Sequence, residues 1–211
     1  AADKVQGGQL YKALRQGHKR YRKGTTGKKG CVIPEPRSIE ERPAIVETRE
    51  RFGDWEVDTV LGKQGTGALV TLAERRSRLY LVRKVAAKRA ADVRDAVIDM
   101  LKPYAGHVHT ITADNGSEFV DHQAIAKALK TRVYFAHPYS SWERGLNENF
   151  NGLLRQYIPK GSDLRQFSAE AVRRVEKRLN LRPRKCLGFR QPEVVFREHL
   201  QATLGNVALQ S

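Results

Sequence analysis

The chain has 211 residues, with 39 Lys and Arg against 23 Asp and Glu and a formal net charge of +16. That length allows one sizeable core plus an appendage, and the positive surplus points to a polyanionic partner, nucleic acid before acidic membrane. No apolar run approaches the roughly 18 residues a spanning helix needs, and no signal-peptide pattern is present, which argues against a membrane protein.

Residues 1–30 carry nine Lys and Arg and a single acid, Asp3. Leu10, Tyr11 and Leu14 suggest a short amphipathic helix near Gln9–Gln16. The Gly-rich stretch after it, with Lys19, Arg20, Arg22 and Lys23, is too polar to bury a core and reads as a phosphate-seeking arm; a solubilising tail is the plain alternative. Because the chain opens on Ala1, it is expected to be part of a longer one. Cys31 and Cys186 stand far apart, make no zinc cluster and suit a reduced cytosol. Ser38-Ile39-Glu40-Glu41 is a capping-box pattern. Residues 1–45 are therefore expected to be a basic arm and linker, the remnant of a DNA-binding region, 46–200 a folded core and 201–211 a tail.

In the core, Gly53–Leu61 reads as a strand, with Trp55, Val57 and Thr59 alternating with Asp54, Glu56 and Asp58. Three acids on one face repel unless something cationic sits over them. Strands are also predicted over Ala68–Ala73, Arg78–Val85, Val108–Ala113 and Arg132–Ala136. Helices are predicted over Arg89–Leu101, Asp121–Leu129, Trp142–Tyr157, Ser168–Leu179 and Gln191–Leu200. The order describes an α/β protein with a mixed five-stranded sheet, three antiparallel strands then two parallel, flanked by helices.

Two further acidic stations accompany the first strand. Asp114 leaves the fourth strand in Thr112-Ala113-Asp114-Asn115-Gly116, where ligand sites of open α/β sheets lie; a simple turn is the plain alternative. Glu148 stands on the long helix, where Leu146, Phe150, Leu153 and Leu154 form the apolar face and Glu148, Asn151 and Arg155 share another stripe. Hard divalent cations take oxygen ligands. Two of them roughly 3.5–4 Å apart can activate an attacking oxygen and stabilise a leaving one at phosphorus. In this reading Asp58 bridges both ions, Asp114 holds one and Glu148 the other.

These residues resemble the DDE triad of transposases and retroviral integrases, and most closely the bacterial insertion-sequence transposases of the IS-thirty family. The resemblance lies in segments 53–60, 112–119, 137–149 and 151–161 and in Leu181-Arg182-Pro183-Arg184-Lys185. It implies an RNase-H-like core, a Mg²⁺ cofactor for which Mn²⁺ can substitute, and DNA hydrolysis at element ends. It also implies transfer of the freed 3′-OH to target DNA, by a homodimer or higher oligomer on that DNA. Asp58, Asp114 and Glu148 carry over as catalytic metal ligands, and Arg155 as the base that holds DNA near the site. Family members have an N-terminal helix-turn-helix region, where this chain has only a basic stub.

Other residues stay open. Glu56 is the alternative to Asp58 on its face, and Glu143 is about 140° around the helix from Glu148. Asn115 could orient Asp114, touch DNA or form the turn. His109, Trp55 and Trp142 are expected to pack in the core, and His137 to be solvated. Asn151, Lys160, Arg174 and Arg178 are candidate DNA contacts, the last two in a basic run at helical spacing. A nuclease of the same fold without strand transfer, or a silent DNA-binding regulator, are the competing functions.

Overall fold

The expected sheet forms, with one strand more than the hydrophobic pattern suggested. The computed structural model describes residues 6–7, 33–138 and 140–208. The chain divides into two units, Ala1–Gly30 and Cys31–Ser211, and the second contains the sheet and its helices. The helix expected near Gln9–Gln16 and the arm bases Lys19, Arg20, Arg22 and Lys23 lie outside the described residues.

The elements in order are β1 (Arg37–Ser38), α1 (Ile45–Thr48), β2 (Asp54–Leu61), β3 (Ala68–Glu74), β4 (Tyr80–Val85) and α2 (Ala90–Leu101). Then come β5 (Thr110–Ala113), α3 (His122–Leu129), β6 (Arg132–Phe135), α4 (Gly145–Leu154), α5 (Ala169–Asn180) and α6 (Pro192–Ala208). The sheet runs β1-β6-β5-β2-β3-β4. β2, β3 and β4 form the antiparallel meander, and β5 joins β2 in parallel. The sixth strand is the correction: Arg37 and Ser38, read as linker, pair in parallel with Tyr134 and Phe135. Two residues between Pro36 and a 3₁₀ turn are too few to show alternation. That turn, Ile39–Glu41, begins with the predicted capping box of Ser38 and Glu41.

The sheet is covered on both faces. Trp55 and Val57 of β2 and Val70 and Leu72 of β3 pack with α2, α3 and Phe196 of α6. Val60, Leu69 and Ala73 face the other way, onto Leu146, Phe150 and Leu154 of α4 and Val172 and Leu179 of α5. Every residue of β3 is buried, as a strand with helices on both faces must be. Alternation along β2 turns Asp54, Glu56 and Asp58 away from the Trp55 face and toward α4. β2 is entered through Gly53, at φ 89°, where a Cβ would lie 1.9 Å from the His107 carbonyl oxygen. Only glycine fits there.

β4 ends the sheet, and side chains of α5 occupy its free edge. The Asn180 carboxamide accepts from the Tyr80 N–H at 2.9 Å and donates to the Tyr80 carbonyl at 2.7 Å. Glu176 accepts from the Val82 N–H at 2.5 Å. Edge groups that would face water are thereby paired.

α4 is shorter than predicted. A 3₁₀ turn, Ser141–Arg144, precedes it, because Arg144 has non-helical φ −126° and ψ 37° and its side chain is drawn to carboxylates across the sheet. Trp142, expected in the core, is 74% exposed on that turn, whereas Trp55 is fully buried. His109, expected to pack, is exposed, because β5 starts only at Thr110.

Candidate active site

Register brings the first two acids together. β2 and β5 run parallel with Asp54 opposite Thr110 and Glu56 opposite Thr112. Two residues further along the same ladder come Asp58 and Asp114, at neighbouring positions where β5 has just ended. Adjacent strands lie about 4.8 Å apart, so the two carboxylates are close enough to repel.

Each acid on the β2 face has its own arginine. Arg51 pairs with Asp54 at 2.7 Å and Arg75 with the fully buried Glu56 at 2.5 Å. Arg144 spans the site acids, with Nη2 3.1 Å from Asp114 Oδ2 and Nη1 3.7 Å from Asp58 Oδ1. Nη1 also donates to the Val57 carbonyl at 3.1 Å. Glu56, the alternative to Asp58, has its other oxygen on the Asn147 N–H at 3.1 Å. It thus anchors the first turn of α4 to β2 and is spent on that role.

Asp58 is held from three sides. Its Oδ1 accepts from the Thr59 N–H at 2.8 Å and its Oδ2 from the Asn151 carboxamide at 2.8 Å. Asn151 is oriented in turn: its Oδ1 accepts from the Tyr80 hydroxyl at 2.7 Å and from Thr71 at 3.3 Å, which leaves its NH₂ for Asp58. Burial pushes the Asp58 carboxyl above its ordinary range. Arg144 and the Thr59 N–H oppose the shift, and Asp114 and Glu118 add to it. The part of this shift that comes from the neighbouring charges of Asp114 and Glu118 is the part an added cation would relieve.

Glu118 carries no signal in the sequence that marks it for the site. It is buried, pairs with Lys88 at 2.7 Å and accepts from Thr59 at 2.8 Å, beside Asp58. Its other oxygen is buried without a partner and lies 2.3 Å from where a Cβ on Gly116 would sit. A side chain at 116 would therefore have to displace this carboxylate from Lys88 and Thr59. Asp114 accepts from the Gly116 N–H at 3.0 Å, while Asn115 donates to the Ala136 carbonyl at 2.5 Å, so Asn115 ties two loops together. An open cavity of about 390 Å³ lies here, lined by Asp114, His137, Ser140 and Arg144 among others. The exposed His137 pairs with Glu143 at 2.8 Å, which raises its imidazole pKa.

Glu148 is exposed on α4, in the turn between Arg144 and Asn151, both of which reach Asp58. It therefore stands on the helix flank beside the acids, but no contact joins it to Asp58 or Asp114. Among the described residues no three His, Cys, Asp or Glu side chains converge as a metal-binding group. Arg155 donates to the Leu61 carbonyl at 2.8 Å and the Pro159 carbonyl at 3.3 Å, bracing the end of β2. Lys160, Arg174 and Arg178 are exposed. What the site offers is two carboxylates gathered round one cation, with hard oxygen donors suited to a divalent ion.

The family described as Integrase core domain matches residues 49–141. The chain is 45% identical, over 93% of its own length and 60% of the relative's, to the transposase for insertion sequence element IS4351 of Bacteroides fragilis. It is 34% identical to the transposase InsI for IS30C of Escherichia coli K12, over 90% of this chain and 49% of that one. The chain thus spans about half to three fifths of the length of these curated relatives. The catalytic core domain of BIV integrase superposes with a TM-score of 0.57 at 18% identity, covering 72% of this chain and 98% of that one. The fold is thus that of the retroviral integrase core, RNase-H-like as expected.

Proposed function

We propose that this chain, similar to the transposases of bacterial insertion sequences and matched by the integrase core family over residues 49–141, cuts DNA at the ends of such an element and joins the freed 3′-OH to target DNA. The observation that carries the proposal is the meeting of Asp58 and Asp114 on the single Arg144 guanidinium. Two strand-end acids that already share a cation are the start of a site for Mg²⁺, or for Mn²⁺ in its place. Glu148, on the flank of α4 between Arg144 and Asn151, is the third ligand of this reading. Bound there, divalent cations would supply charge stabilisation and an activated oxygen for in-line displacement at phosphorus. Asn151 and the Thr59 N–H orient the Asp58 carboxylate, and Glu118 packs against the turn that presents Asp114. Lys160, Arg174, Arg178 and the arm bases would draw in the phosphate backbone, with Arg155 and Asn151 at the edge of the site. Joining two ends requires two such sites, so the working form is a homodimer or larger assembly on DNA.

The test supplies end-bearing DNA with a labelled 3′-OH, a target plasmid and Mg²⁺ or Mn²⁺. Joined product is expected from the unaltered chain. Loss of cleavage is expected in Asp58→Asn, Asp114→Asn and Glu148→Gln, with DNA binding retained. Cleavage without joining would overturn strand transfer, and unchanged cleavage in the three variants would overturn the site.

A further inference from the structure

A second cavity, of about 270 Å³, lies at the start of α4 and is lined by Arg49, Arg78 and Arg184, together with Gly145, Phe150 and Cys186. No carboxylate lines it. The acids whose charge acts on Arg49, Glu56 and Glu47, are already paired with Arg75 and Arg42, so these two carboxylates are shared among five guanidiniums. Among the described residues no ion pair within 4.0 Å reaches Arg49, Arg78 or Arg184, whereas Arg42, Arg51, Arg75 and Arg144 around them each have one.

The three arginines are placed at a cost. Arg49 and Arg78 adopt the left-handed conformation, at φ 57° and 64°, which non-glycine residues seldom occupy and which clusters where a function sustains it. The Nε atoms of Arg78 and Arg184 are buried without partners. Burial first, then the charges of Arg78 and Arg75, push the Arg49 pKa down, and Glu56 and Glu47 oppose the shift without cancelling it. Arg184 lies over the Phe150 ring at 4.9 Å, and its Nη2 is fixed to the Leu179 carbonyl at 3.0 Å. The opening of α4, at Gly145, adds the positive end of a helix.

We infer that this cavity is a second anion site, which takes a backbone phosphate of the bound DNA away from the phosphate that reacts. The inference rests on the reading of the chain as a DNA-processing enzyme and adds the place where a non-reacting stretch is gripped. At about 100° per residue, Gly145 and Phe150 face this cavity, while Asn151, which holds Asp58, is turned away from it. The body of α4 thus separates the gripped phosphate from the acids. Forked guanidiniums suit a phosphate's paired oxygens better than ammonium groups do.

The experiment measures binding of duplex DNA by fluorescence anisotropy across a salt series. It uses the unaltered chain, the paired variant Arg78→Gln with Arg184→Gln, and the paired variant with Lys at both positions. The Gln pair is expected to weaken binding about 10-fold or more and to lower the log–log salt slope by about one, the loss of one phosphate contact. The Lys pair is expected to keep the slope and lose part of the affinity. Cleavage of fully bound DNA in a single turnover is expected to stay within about twofold of the unaltered chain in both. A second readout needs no variant. Cys186 is an exposed free thiol on the cavity wall, and DNA is expected to slow its alkylation, followed by mass spectrometry of its peptide, while equimolar inorganic phosphate does not. Unchanged affinity and slope in the Gln pair, or alkylation unaffected by bound DNA, would overturn the inference and leave the proposed activity standing. Protection by inorganic phosphate alone would reassign the cavity to a free anion and overturn it as well. An unaltered chain that neither binds nor cuts DNA would instead bring down the activity on which the inference rests.

Discussion

The Asn151 carboxamide donates to Asp58 at 2.8 Å, across 93 residues of sequence and from a helix to the strand beneath it. The Tyr80 hydroxyl, which donates to Asn151 Oδ1 at 2.7 Å, decides which end of that amide faces the acid. Groups that orient a ligand carboxylate this way typically matter by about 10- to 100-fold in activity or metal affinity. Asn151→Ala is expected to fall in that range, measured as single-turnover DNA cleavage. Tyr80→Phe keeps the ring stacked on Phe150 and is expected to lose less, because Thr71 still donates to the same oxygen.

In the proposed site, Arg144 and a divalent cation would compete for the same two carboxylates, Asp58 and Asp114. Arg144→Gln leaves Asp58 and Asp114 facing each other without a counter-charge. In chelator its melting temperature is expected to fall by several degrees, for about 1–2 kcal/mol lost. Mn²⁺ is expected to raise the melting temperature of this variant more than that of the unaltered chain. Scanning calorimetry with and without Mn²⁺ checks both; a smaller Mn²⁺ effect in the variant would mean that Arg144 assists the ion rather than competing with it.

Glu176 gives a pH signature. Burial against β4 pushes its carboxyl from 4.5 up to about 7, against the opposing Val82 N–H. The native state therefore holds a proton that the unfolded chain releases between those values. Stability is expected to fall as pH rises from about 4.5 to about 7 and to level off above, by at most about 1.4 kcal/mol per pH unit from this group. Glu176→Gln is expected to flatten that part of the profile in urea unfolding at successive pH values. An identical slope in the variant would reject the assignment.

Asn180→Ala strips both partners from the Tyr80 backbone. Buried polar groups left unpaired cost about 1–3 kcal/mol each. Urea unfolding is expected to show about 2–4 kcal/mol lost, far more than an exposed helix position would give.

Gly116→Ala drives a methyl group into the Glu118 carboxylate, at 2.3 Å. That carboxylate is tethered to Lys88 and Thr59 and cannot retreat without disturbing Asp58. Cleavage is expected to drop at least about 10-fold while the fold survives, as in other cases where supports of a ligand carboxylate are disturbed. Circular dichroism alongside the cleavage assay separates the two effects.

Local signals made much of this arrangement legible. Alternation along Gly53–Leu61 placed Asp54, Glu56 and Asp58 on one face, and the strand exit at Asp114 came from the turn chemistry of Asn115-Gly116. The expectation that cations must cover the acid face was met by Arg51, Arg75 and Arg144, one for each acid. Which arginine would serve which acid was not legible, because Arg75 and Arg144 arrive from 19 and 86 positions away and nothing local marks a long side chain as turned inward. Glu56 stayed open as the alternative to Asp58 for the same reason: its burial depends on α4 and Arg75, which the strand pattern does not reveal. Tyr80 and Glu118 read as a strand aromatic and a turn acid until the fold brought them beside Asp58. Trp142 went to the surface because the turn before α4 bends to carry Arg144 across the sheet.

The pairing of Asn180 and Glu176 with the rim strand β4 also limits how copies of this chain can associate. A neighbour cannot extend the sheet past Tyr80 and Val82, since the amide and carboxylate of α5 already stand where its backbone would dock. At the opposite rim, β1 offers only two residues, too short a template for stable strand addition. In the proposed assembly on DNA, subunits would therefore meet through helices, loops or the nucleic acid itself, and not by merging their sheets.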